Sequence, residues 1–288
     1  MRVLALALVA LTAAASARAD DDAVKRGEYL VHAGGCVSCH TVPGGTPFAG
    51  GRALATPFGT FYSPNITPDP ETGIGKWSDA DFKRALREGK RPDGKKYFPV
   101  FPYPSFTGIT DGDALAIKAY LFSLTPARQP NRVHDVSFPF SWRFLQNGWR
   151  LMFFDKGPFQ PDPKRDASYN RGAYLVTALA HCGECHTPRN FLGAVKDSHA
   201  LSGNPDGPEG ELVPNITPDP KTGIGGWEKD DVAALLKTGE TPEHSKVKGA
   251  MREAVDDGLK YLTEADRQAI AEYLFAQKPI VNEVRPQK

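Results

Sequence analysis

Residues 64–77 of this chain read PNITPDPETGIGKW, and residues 214–227 read PNITPDPKTGIGGW. The copies differ at only two positions, so the chain is an internal duplication, and whatever it folds into is built twice. A second matched pair lies upstream of the first. Arg26-Gly27-Glu28-Tyr29-Leu30-Val31 is answered by Arg171-Gly172-Ala173-Tyr174-Leu175-Val176. The repeats predict two tandem domains over residues 20–125 and 168–280. A leader at 1–19, a connecting segment at 126–167 and a tail at 281–288 make up the rest.

Between the members of each pair sits a C-x-x-C-H run: Cys36-Val37-Ser38-Cys39-His40 and Cys182-Gly183-Glu184-Cys185-His186. Together they use all 4 cysteines. This spacing is the attachment pattern of a c-type haem. Cys36 and Cys39, and again Cys182 and Cys185, are the expected thioether positions. His40 and His186 are the expected proximal iron ligands. Two C-x-x-C pairs could also hold one zinc, but a zinc ribbon does not require a histidine directly after each second cysteine. A thioredoxin-like site would need alternating strands and helices, and the chain shows almost no strand signal. The expected cofactors are therefore two covalently bound haems c, whose iron performs one-electron chemistry.

Met1-Arg2, the apolar run from Val3 to Ala15 and the small-residue site Ala17-Arg18-Ala19 read as a secretory signal peptide. The run is too short to cross a bilayer as a helix. Removing residues 1–19 takes away Arg2 and Arg18 and no acid, so the formal charge of +1 becomes about −1. There is no basic stripe, and nucleic acid is excluded as a partner class. Export suits c-type haem, which bacteria attach outside the cytoplasm, and the expected location is the periplasm.

The fold class expected is mainly α: two haem domains joined by a Pro- and aromatic-rich segment. In each half a first helix leads into the haem motif, and a long Gly/Pro loop follows. A second helix starts after Trp77 or Trp227, with Ser78 as N-cap and Asp81 three residues on. A last helix begins near Thr110 or Thr263 and carries apolar residues at helical spacing. Gly27 and Gly172 would let that last helix cross the first closely, because glycine removes the side-chain spacer. Residues 141–154, SWRFLQNGWRLMFF, are too apolar for a free linker. They predict a short helix packed across both domains, or else a docking face for a dehydrogenase or a membrane.

The halves resemble class I cytochrome c domains. The NITPD and TGIG runs ahead of Trp77 and Trp227 resemble the cytochrome c subunits of bacterial membrane-associated dehydrogenases of the alcohol, gluconate and molybdenum-hydroxylase type. Those subunits typically carry three haems and many end in an amphipathic membrane segment. This chain has two attachment motifs and ends Pro286-Gln287-Lys288. The resemblance implies that the duplicated loop wraps the haem edge, with Trp77 and Trp227 near the propionates. Asn65-Ile66-Thr67 and Asn215-Ile216-Thr217 match a glycosylation sequon, but they are duplicated with the loop and belong to it.

The halves differ in the sixth iron ligand. Beyond the leader the only methionines are Met152 and Met251. Met251, between the second and last helices of the second half, stands where the family places its ligand. Carrying the duplication back by 150 residues puts Phe101 at the same place, and phenylalanine cannot bind iron. Tyr97, Tyr103, His134 and Met152 are the candidates for the first haem, or it has no protein ligand there. Methionine raises the potential. The second haem is thus expected to sit higher, with electrons entering at the first.

The reading that follows is an exported dihaem electron-transfer protein. Its donor would be a periplasmic dehydrogenase, and its acceptor a quinone, another cytochrome or an oxidase of the respiratory chain. Peripheral association with the inner membrane is compatible with it. The alternative is a dihaem redox enzyme, peroxidase-like or oxidising a small molecule, that uses an open or unusually ligated first haem. No acid or histidine is placed by motif as a peroxidatic base. His32, His181, His199 and His244 read as core or surface residues.

Overall fold

The computed structural model describes residues 20–285, so the leader lies outside the described residues. Helix α1 (20–33) runs into α2 (Cys36–His40), the first haem motif, across a two-residue turn. A hairpin of β1 (Ala53–Thr56) and β2 (Gly59–Tyr62) follows, then the duplicated loop, α3 (Asp79–Glu88), α4 (Tyr103–Phe106) and α5 (Asp111–Ser123). The chain returns through β3 (Asp135–Val136) to α6 (Leu145–Phe153). The second half contains α7 (Ala167–Tyr174), α8 (Gly183–His186), α9 (Lys229–Thr238), α10 (Gly249–Asp257) and α11 (Glu264–Phe275). A π-helical turn, Leu175–Leu179, joins α7 to the second haem motif.

The helix starts follow local chemistry. Ser78 and Asp81 form a reciprocal capping box at α3. Thr110 and Thr263 cap α5 and α11, each accepting a hydrogen bond from the backbone N–H three residues on. The last helix crosses the first at glycine in both halves. A Cβ on Gly27 would lie 1.9 Å from the Ala116 carbonyl oxygen, and one on Gly172 would lie 1.9 Å from that of Ala269. Backbone contact at that distance admits no side chain, so the crossing itself requires glycine.

Three short strands were not expected. They form one antiparallel sheet in the order β1-β2-β3, with Gly59 facing Val136 and Thr60 facing Asp135. β3 lies far along the chain from its partner, so no local alternation announces the pairing. Residues 127–136 thereby fold back onto the first half: the Asn65 side chain donates to the Ala127 carbonyl at 2.7 Å. Asn215 makes the same bond to Ile280, at 2.8 Å.

One hydrophobic core spans both halves. Leu30, Val31, Ile109 and Ile117 pack in the same cluster as Leu175, Val176, Leu179 and Ile270. The two halves also exchange a reciprocal polar bond. Arg26 holds the Asp113 carboxylate, and Tyr174 from the other half donates to it at 2.6 Å. Arg171 holds Asp266, and Tyr29 from the first half donates to it at 2.5 Å. Burial opposes ionisation of Asp266, but the bonds from Arg171 and Tyr29 outweigh it and keep its pKa below the ordinary carboxylate value.

Candidate haem sites

Each C-x-x-C-H run begins beside a left-handed backbone turn. The residue before the first cysteine is Gly35 at φ 60° in one half and His181 at φ 40° in the other. Glycine adopts that region freely; histidine does so at a cost of about 1 kcal/mol or more. His181 is fixed by its surroundings. Its ring lies edge-on to Phe106 of the first half at 5.2 Å, and burial lowers its pKa.

The motif histidines are oriented identically. His40 Nδ1 lies 2.7 Å from the Pro64 carbonyl oxygen, and His186 Nδ1 lies 2.9 Å from that of Pro214. A carbonyl can only accept, so Nδ1 carries the proton and Nε2 keeps its lone pair. Burial pushes the pKa of both imidazoles down, with the proline carbonyls acting in the other direction, so the rings are held neutral. A neutral imidazole with a fixed Nε2 is the form that ligates iron. Pro64 and Pro214 open the duplicated loops, which explains why that segment is kept in duplicate. Behind them, Asn65 and Asn215 each accept from the backbone N–H of the threonine two residues on, at 2.9 Å. Both asparagines are buried, and the sequon reading gives way to this loop-fixing role.

None of the four cysteines is in a disulfide. Four cysteines outside any disulfide and two neutral imidazoles with free Nε2 fit two thioether-bound haems. Among the described residues no cluster of three or more His, Cys, Asp or Glu is placed to hold a metal ion by itself.

Each half also braces the other half's haem motif. From α10, Asp257 accepts from Ser38 Oγ at 3.2 Å, its carbonyl lies 3.0 Å from His32 Nδ1, and Glu253 pairs with Arg52. From α4, Ser105 donates to Glu184 at 2.7 Å, and Arg189 holds the same carboxylate. Each attachment motif is therefore tied to the opposite half of the chain. Nothing in the local sequence signals the bonds that cross between the halves, whose partners are 79 to 225 residues apart.

Met251 lies in α10, half-buried and packed on the core. Its counterpart is legible in the hairpins that precede it. Tyr97 N–H donates to Gly89 just as Val247 N–H donates to Gly239, an offset of 150. By the N-caps Thr110 and Thr263 the offset has become 153, so the second half carries three extra residues between. Counted from either side, Met251 falls on Phe101 or Phe98. Of the first-half candidates, Met152 is 59% exposed on α6. His134 Nδ1 accepts from the Tyr62 N–H at 3.2 Å, against the sheet. The Tyr103 ring packs edge-on against Trp149 and Phe154 of the connecting segment. Tyr97 packs on Phe101, which lies on the core, and burial raises its pKa to about 12.

Two helical haem-binding halves with oriented histidines define a c-type cytochrome. A model of the family described as cytochrome c matches residues 24–125. A dihaem c-type cytochrome of Cereibacter sphaeroides is 42% identical over 260 residues, covering 86% of this chain and 84% of that protein. This chain belongs to the cytochrome c family and carries covalently bound haem c, two haems fitting the dihaem relative. The gluconate 2-dehydrogenase cytochrome c subunit of Pantoea cypripedii is 43% identical over 94% of this chain, and a nicotinate dehydrogenase subunit of Pseudomonas putida is 47% identical over 87%. The chain spans 64% and 21% of those two relatives' lengths. The cytochrome subunits of an alcohol dehydrogenase and a fructose dehydrogenase are also among the relatives.

Proposed function

We propose that this chain is an exported dihaem cytochrome c that takes electrons singly from a periplasmic dehydrogenase and delivers them to the respiratory chain. Cys36 and Cys39 would hold one haem and His40 would ligate its iron; Cys182, Cys185 and His186 would do the same for the other. The observation that carries the reading is the paired Nδ1 bond to Pro64 and Pro214, which aims Nε2 in both halves. Haem supplies reversible one-electron iron chemistry; the protein holds the imidazoles neutral, excludes water and fixes the spacing. Met251 would serve as the further protein ligand to the iron of the second haem. The first lacks a methionine there, so the second haem has the higher potential. The dehydrogenase partner is supported by the relatives' names, and the domain division by the duplication.

The test is a redox titration of the holo-protein with stopped-flow reduction by a purified periplasmic dehydrogenase. Two resolved centres, the methionine-ligated one titrating at the higher potential, support the reading. Two indistinguishable methionine-ligated centres, or catalytic turnover of peroxide by the protein supplied with an electron donor, would contradict it.

A further inference from the structure

The turn between β3 and α6 exposes three aromatic rings. Phe138 is 71% exposed, Trp142 50% and Phe144 61%. They touch one another, with centroids 5.0 Å apart between Phe138 and Trp142 and 5.5 Å between Trp142 and Phe144. A cluster of this kind in water needs a reason, because exposed rings of this size are the groups a folded chain normally buries.

The surrounding charge indicates what covers them. Arg143 lies between two of the rings in sequence; its guanidinium packs over Phe98 at 4.5 Å and donates to the Lys96 carbonyl at 2.8 Å. That contact joins the aromatic turn to the hairpin at residues 90–96, KRPDGKK, which carries four cations and one acid. The duplicate hairpin at 240–246, ETPEHSK, carries one lysine and two glutamates. The halves share the hairpin, bridged Lys90 to Lys96 and Glu240 to Lys246, but only the one beside the rings is cationic.

Within the turn the N–H groups of Ser141 and Trp142 donate to the Ser137 and Pro139 carbonyls, and no acidic residue falls between Phe138 and Phe144. Rings flanked by cations are the arrangement that seats a protein at a headgroup boundary.

We propose that the Phe138–Phe144 turn and the Lys95-Lys96 hairpin form a docking surface for an anionic phospholipid membrane, the rings entering the headgroup region and the cations pairing with lipid phosphates. This rests on the export reading, which places the chain beside such a membrane. It gives a chain with no helix among the described residues long and apolar enough to span a bilayer a way to remain at its surface.

The test is co-sedimentation of the full-length holo-protein with vesicles of equal parts phosphatidylglycerol and phosphatidylcholine, and with pure phosphatidylcholine vesicles. The proposal expects binding to the first, little to the second, and release by high salt. The triple change Phe138→Ser, Trp142→Ser, Phe144→Ser and the double change Lys95→Glu, Lys96→Glu should each weaken binding by roughly tenfold or more. The haem spectrum should be unchanged, because these side chains lie outside the core. Wild-type protein that ignores anionic vesicles overturns the proposal, as does binding that both variants retain. A triple variant that loses reduction by a dehydrogenase while wild type ignores vesicles assigns the patch to a protein and likewise overturns it. Sedimentation reads no electron transfer, so the electron-transfer reading stands or falls separately in the redox titration.

Discussion

Gly172→Ala separates two forces that act on the same atom. In an isolated helix the change should stabilise, since alanine is favoured over glycine by roughly 0.5–1 kcal/mol. In this structure the added Cβ would lie 1.9 Å from the Ala269 carbonyl oxygen, 2.6 Å from its carbon and 2.9 Å from Tyr273 Cβ. Two of those neighbours are backbone, so the helices must separate. Overpacking of a closed core costs about 1–3 kcal/mol, which exceeds the propensity gain. The expected net loss is on the order of 1–2 kcal/mol, with Tm falling by about 2–4 °C per kcal/mol. Gly148→Ala is the control. It lies inside α6 with nothing within 4 Å of its would-be Cβ, and it should gain about 0.5–1 kcal/mol. Urea unfolding of the two holo-variants, followed by far-UV circular dichroism, reads both signs. A stabilised Gly172→Ala protein would refute the close crossing of first and last helices.

Other expectations follow from the same geometry. Tyr174→Phe should cost about 1.5–3 kcal/mol, because it strips a hydrogen bond from the buried Asp113 carboxylate, and Tyr29→Phe should act similarly at Asp266; urea midpoints measure both. Asp266 has a lowered pKa in the fold, so its contribution is complete above the unfolded carboxylate value and disappears as pH falls through the folded one. An Asp266→Asn variant should therefore lose less stability than wild type on acidification. Burial and the Asp113 bond raise the Tyr174 pKa, so its contribution is complete below the ordinary tyrosine value and is lost as pH rises through the folded one. Met251→Ala should abolish a single low-spin methionine signal in the oxidised spectrum and lower one potential, leaving the other haem unaltered.

What the sequence revealed was local or repeated. The Ser78 cap and the helix starts near Thr110 and Thr263 rest on short-range chemistry, and the structure has each of them in place, with both threonines acting as caps. Gly27 and Gly172 were legible because both copies keep glycine in an otherwise helical run. The role of the PNITPD loop was legible only as something around the haem; that its first proline carbonyl orients the histidine depends on chain path. The strand pairing of Gly59 with Val136 and the Tyr29–Asp266 and Tyr174–Asp113 exchange were invisible for a related reason. Their partners are brought together only when the chain folds back or the halves dock. Trp142 and Trp149 divided between both expected roles. Trp149 donates to the Leu192 carbonyl at 2.9 Å and ties α6 to the second half, whereas Trp142 stays exposed.

Intact-mass spectrometry of the protein matured in its own exporting host tests the central claim most directly. The account predicts the chain from Asp20 onward plus two haem masses, falling to one when Cys36 and Cys39 are both changed to alanine and likewise for Cys182 and Cys185. A polypeptide with no added porphyrin, or with a single one that survives either pair of changes, would contradict it.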